Sequence, residues 1–84
     1  MNYYVYLLRC ADNSLYCGIT NNLEKRLKEH NSESSKGAKY LRTRRPVTIV
    51  YTEEQPDRSS ALKREYAIKQ LSKQEKENLI LKAT

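Results

Sequence analysis

A few side chains in this sequence have the type and spacing to do chemistry. Glu65 stands four residues after Ala61, three after Leu62 and three before Ile68, which sets its carboxylate within or beside the apolar stripe of a helix. A carboxylate there needs a positive partner, because burying it alone is costly. That partner is either a basic side chain in a structural ion pair or a metal ion, and on the helix argument alone the ion pair is the plainer reading. Arg26 and His30 are four apart on another helix, beside Leu23 and Leu27, so they either point together at one site or are ordinary surface neighbours. His30 is the only imidazole, hence the one side chain whose ordinary pKa lies near neutrality. Tyr6 and Tyr16 fall on the two arms of a hairpin, where a tyrosine taken singly is a packing residue with its hydroxyl at the rim. Lys36, Lys39, Arg42, Arg44 and Arg45 lie within ten residues that hold no acid. This is the footprint of a surface that meets phosphates, or of a solvated loop.

The elements that position these groups must fit into 84 residues, which leaves room for one small domain, residues 1–84, and excludes repeats and two-domain enzymes. With 38% apolar and 31% charged residues, the chain is expected to fold as a globule with a thin core. Two cysteines and one histidine cannot build a four-ligand zinc site or a disulfide framework, so Cys10 and Cys17 are expected to be reduced and packed. No apolar run approaches the roughly 20 residues of a membrane span, and residues 1–10 lack the order of a signal peptide, so the expected location is cytoplasmic, away from membranes. The formal charge is +6, and residues 21–45 supply nearly all of the excess with eight bases against three acids.

Residues 3–10 are dense in aromatic and β-branched types with apolar groups on both faces, which predicts a central strand buried on both sides. Residues 11–14 carry turn chemistry, and residues 15–19 return as the second arm, with Gly18 marking a bulge or a close approach to the backbone. Asn21 or Asn22 caps a short helix through His30, stopped at Asn31. Residues 31–45 read as a long binding loop. A third strand spans 47–52 behind Pro46. Asp57 or Ser59 caps a second helix running to about Leu71, and Ser72 with Glu75 forms a capping box for a third over 73–82. The order β-β-α-β-α-α describes an α+β fold, a small three-stranded sheet flanked by helices.

Taken together, Tyr4-Val5-Tyr6, the turn, Tyr16-Cys17-Gly18, and the helix bearing Arg26 and His30 resemble the start of the GIY-YIG nuclease domain. Gly37-Ala38-Lys39-Tyr40, Arg44-Arg45-Pro46 and Ala61-Leu62-Lys63-Arg64-Glu65 resemble the branch that includes the catalytic domain of branched-DNA structure-specific endonucleases. The whole chain is similar to small single-domain bacterial members. The resemblance implies that Tyr6 and Tyr16 are the motif tyrosines, Arg26 the catalytic arginine, Glu65 the metal-binding glutamate, and His30 a site position where members carry tyrosine or histidine. Tyr4, Val5 and Cys17 depart from the motif residues by packing substitutions that remove no charge. Ile19 stands where some repair-type members have a lysine.

What this resemblance implies is a metal-dependent endonuclease acting on nucleic acid, DNA more than RNA, with structured or single-stranded features, in repair or recombination. A protein partner would complete substrate selection. Phosphodiester hydrolysis needs an attacking water, neutralisation of the phosphate oxygens and help for the leaving oxygen. One carboxylate, Glu65, suits a single Mg²⁺ or Mn²⁺ that keeps most of its waters. Arg26 would be the fixed charge on the phosphate, and a tyrosine hydroxyl, with His30, would orient or deprotonate the water. The competing reading is a nucleic-acid-binding module that keeps the fold without turnover.

Overall fold

The computed structural model describes residues 2–31 and 43–83. The expected order is found: β1 (Tyr3–Arg9), β2 (Leu15–Thr20), α1 (Leu23–Asn31), β3 (Thr48–Gln55), α2 (Arg58–Lys69) and α3 (Lys73–Lys82). The sheet is antiparallel throughout, in the order β2-β1-β3. Being central, β1 is buried on both faces, and its alternating side chains divide the core in two. Val5 and Leu7 pack with Cys17, with Ala61 and Ile68 of α2 and with Ile80 of α3. On the opposite face, Tyr6, Leu8 and Cys10 pack with Val47 and with Leu23 and Leu27 of α1. Both cysteines are free and buried.

Local chemistry explains most boundaries. Asn13 sits at φ 70° in the β1–β2 turn, a conformation that asparagine tolerates better than most residues, and Asp12 Oδ1 accepts from the backbone and hydroxyl of Ser14. Asn22 caps α1 by accepting from the Lys25 N–H. Asp57, rather than Ser59, caps α2 by accepting from the Ser60 N–H at 2.8 Å. The capping box of Ser72 and Glu75 is complete, satisfying two otherwise orphaned backbone donors.

Three features depart from expectation. β3 continues three residues past Thr52, because Glu54 meets Asn2 across the sheet and Glu53 is held by Tyr51, Gln55 and Arg64. Leu7 pairs with Tyr51 but Leu8 with Ile49, leaving Val50 as a bulge. Asn31, expected only to stop α1, also pins the start of β3. Its amide oxygen accepts from the Val47 N–H at 2.7 Å and its amide nitrogen donates to the Val47 carbonyl at 3.0 Å.

Candidate active site

Tyr6 lies opposite Gly18 across the β1–β2 ladder. A Cβ at Gly18 would fall 2.5 Å from the Tyr6 hydroxyl oxygen and 2.7 Å from Cζ, so the missing side chain is what lets this ring lie across β2. Gly18 has no positive φ; close approach alone explains it. From there the Tyr6 hydroxyl reaches His30 Nε2 at 2.9 Å in a buried contact. Tyr16 sets its ring edge against the same imidazole at a centroid distance of 5.6 Å.

α1 delivers His30 in its last turn and Arg26 one turn earlier, and a Thr20–Asn22 hydrogen-bond pair fixes the step from β2 into the helix. His30 is only 3% exposed, which removes the reading of Arg26 and His30 as two surface neighbours. Arg26 keeps more exposure and makes a loose ion pair with Glu29 at 3.7 Å. Glu65 comes from the other side of the sheet, on α2. The residue before it, Arg64, bonds Glu53 of β3 at 2.7 Å, with Tyr51 donating to the same carboxylate. This clamp fixes the rotation of α2. Burial alone would raise Glu53, but the hydrogen bonds from Arg64 and Tyr51 overcome it and hold the carboxyl below its usual range.

The electrostatics show which charges these groups feel. Burial pushes the Tyr6 hydroxyl well above the ordinary phenol range; Tyr16 and Glu65 add to the rise and Arg26 opposes it. Tyr16 is raised by burial, with Lys69 and Arg26 pulling against Glu65. His30 is lowered by burial and then by Arg26, against Glu29. At neutral pH the imidazole is therefore neutral and the phenol protonated; in the tautomer that carries its proton on Nδ1, Tyr6 donates and His30 Nε2 accepts. Burial and Glu65 lift the Cys17 thiol to about 11, which leaves it an inert core group.

Five of the residues singled out from sequence thus fall in one neighbourhood: Tyr6, Tyr16, Arg26 and His30 on the α1 face, with Glu65 close enough to be felt by both tyrosines. Glu65 also has the basic partner that its helix position demanded, Lys69 Nζ at 3.4 Å, with the carboxylate side chain 17% exposed. Sequence reading passed over Lys69, although its spacing of four from Glu65 was the available signal. Of the basic segment, Lys36, Lys39 and Arg42 lie outside the described residues. Arg44 is held at the β1–β2 turn by Asp12 at 3.1 Å, and its carbonyl accepts from the Ala11 N–H; Arg45 follows, half-buried.

A pH dependence follows from His30. The unfolded imidazole takes a proton below about pH 6.5, whereas the folded one resists until lower pH, so its contribution is complete above that value and is lost as pH falls through the folded pKa. Urea midpoints should drop more steeply on acidification for the native chain than for His30→Gln; parallel curves would refute the assignment of a neutral buried imidazole.

Residues 2–78 match the GIY-YIG catalytic domain. The chain belongs to the GIY-YIG family. A UPF0213 protein of Desulfotalea psychrophila is 58% identical over 78 residues, covering 93% of this chain and 70% of that one. A UPF0213 protein of Staphylococcus haemolyticus is 51% identical, covering 93% of each. The fold agrees with the solution NMR structures of a Bacillus halodurans UPF0213 protein (45% identity, TM-score 0.60, 95% of this chain and 83% of that one) and an Enterococcus faecalis protein (42%, TM-score 0.66, 98% and 85%). A GIY-YIG domain belongs to a nuclease family and implies nucleic-acid binding, and GIY-YIG nucleases generally use a divalent metal. Among the described residues no helix is long and apolar enough to cross a membrane.

Among the described residues no three His, Cys, Asp or Glu side chains cluster as a ligand set. Glu65 is a lone, partly open carboxylate, which fits one hard cation that retains most of its waters.

Proposed function

We propose that this single domain is a metal-dependent endonuclease that hydrolyses phosphodiester bonds, with DNA that has structured or single-stranded features as its substrate in repair or recombination. The observation that carries the proposal is the buried Tyr6–His30 hydrogen bond of 2.9 Å, with the charge of Arg26 reaching both members and that of Glu65 reaching Tyr6. A core needing only packing would be served by phenylalanine; a phenol hydrogen-bonded to a neutral imidazole is a pair that can relay a proton.

In this reading Tyr16, the more open tyrosine, orients the attacking water. As its oxygen bonds to phosphorus, the scissile P–O bond breaks and the leaving oxygen departs with the electron pair, to be protonated from solvent; the water's proton passes to the Tyr6 oxygen while the Tyr6 proton passes to His30 Nε2. The two transfers occur together, so no free phenolate has to exist in a site whose burial disfavours it. Arg26 neutralises the non-bridging oxygens. Glu65 would hold the hydrated Mg²⁺ or Mn²⁺, whose charge stabilises the leaving oxygen when bound. Lys36, Lys39, Arg42, Arg44 and Arg45 bind backbone phosphates, and a protein partner refines substrate choice.

The Glu65–Lys69 ion pair favours a second reading, a nucleic-acid-binding module in which Glu65 is structural. Glu65→Gln separates the two. For the nuclease, the substitution abolishes the rise in melting temperature produced by Mg²⁺ or Mn²⁺ and leaves the metal-free value close to the original. Equal destabilisation with and without metal would assign Glu65 to the ion pair.

A further inference from the structure

Glu65 and Lys69 form the inner edge of a larger patch on α2. Leu62 and Tyr66 are four apart, as are Glu65 and Lys69, while Leu62–Glu65 and Tyr66–Lys69 are three apart. These spacings make the four side chains one contiguous patch, with neighbouring Cβ atoms about 5–6 Å apart. The two apolar members face solvent, Leu62 at 38% and Tyr66 at 69% exposure. Every other described tyrosine is buried or half-buried; Tyr66 alone among them presents its ring to water.

The surrounding charge says what this ring suits. α2 carries Arg58, Lys63, Arg64 and Lys69 against the single acid Glu65, and Arg64 is already committed to Glu53. An aromatic face in such a field fits a polyanion that also offers flat apolar surfaces. Nucleic acid does so only where bases are unpaired, since bases inside a duplex are already stacked on each other.

We propose that Tyr66, backed by Leu62, is a stacking shelf for an unpaired nucleobase adjoining the phosphate at the Arg26–Glu65 site. The proposal rests on the nucleic-acid reading above and narrows its substrate class to strands with unpaired nucleotides beside the scissile bond. Leu62 supports the ring from one turn away, and Lys69 draws the connecting phosphate toward the carboxylate side of the patch.

Binding measured without metal, in the Glu65→Gln background so that strands stay intact, tests the shelf separately from turnover. The probes are short single-stranded DNA and RNA oligonucleotides and a blunt DNA duplex. Tyr66→Ala should weaken single-strand binding by about 5- to 150-fold, the range expected for one lost base–aromatic stack. It should leave duplex affinity and melting temperature unchanged, and Tyr66→Phe should restore single-strand binding. The chain has no tryptophan, so Tyr66→Trp provides a single reporter whose emission single strands should quench and the duplex should not.

Unchanged single-strand affinity, an equal loss on duplex, or absent quenching would overturn the shelf. So would self-association of the chain that Tyr66→Ala abolishes while oligonucleotide binding stays intact, which would assign the patch to a second copy. A chain that stacks strands on Tyr66 yet cleaves nothing keeps the shelf and loses the nuclease reading. One that cleaves with Tyr66 irrelevant to binding loses only the shelf.

Discussion

Arg26→Ala is expected to slow single-turnover cleavage by about 10²- to 10³-fold, the usual cost of removing one preorganised donor from a developing oxyanion. The dissociation constant should move by less than about tenfold, because one phosphate contact among many adds little to affinity. Arg26 sits on a helix whose start and end are both anchored, by Asn22 and Asn31. Its charge already reaches Tyr6, Tyr16 and His30 before substrate arrives, and its ion pair with Glu29 is loose at 3.7 Å. Lysine should rescue only partly, since it keeps the charge without the planar fork that fits a phosphate. Cleavage at the original rate, or equal losses of rate and binding, would make Arg26 an ordinary contact residue.

Gly18→Ala should damage both stability and activity. The new Cβ would stand 2.5 Å from the Tyr6 hydroxyl oxygen, 2.7 Å from Cζ and 3.3 Å from Cε2 of Tyr16. A flexible side chain would swing away, but Tyr6 is 3% exposed and tied to His30. The ring or the ladder must therefore move, at about 1–3 kcal/mol, the usual cost of overpacking. A displacement near 1 Å at the relay should also cost about 10²-fold in rate. Tyr6→Phe in the same background relieves only the contact with the oxygen and leaves Cζ in place, so it should restore part of the stability and none of the activity. Stability and rate both unchanged in Gly18→Ala would contradict the geometry assigned to the two tyrosines.

The framework was legible in the sequence wherever a local rule decides the outcome. The Ser72–Glu75 capping box, the Asp57 cap, turn chemistry around Asn13 and the doubly apolar run of β1 each follow from neighbours in the chain. Gly18 was legible as a place of close approach, though not as the seat of the Tyr6 ring. The remaining features depend on what a distant segment supplies. His30 becomes a buried hydrogen-bond partner only because β1 places a hydroxyl beneath the end of α1. Val50 bulges because β3 must pair in two registers with one strand, and Asn31 finds its partner sixteen residues along the chain, at Val47. Lys69 could have been paired with Glu65 from spacing alone, yet its influence on Tyr16 comes from α2 lying across the sheet beside β2.

The most direct measurement is cleavage of single-stranded, duplex and branched DNA and RNA by the intact chain, with Mg²⁺ or Mn²⁺ and with chelator, beside Glu65→Gln. A metal-dependent nuclease makes internal cuts, greatest on DNA with unpaired or branched nucleotides, absent with chelator and abolished in Glu65→Gln. Binding without cleavage under every metal condition, or cleavage that survives Glu65→Gln undiminished, would contradict it.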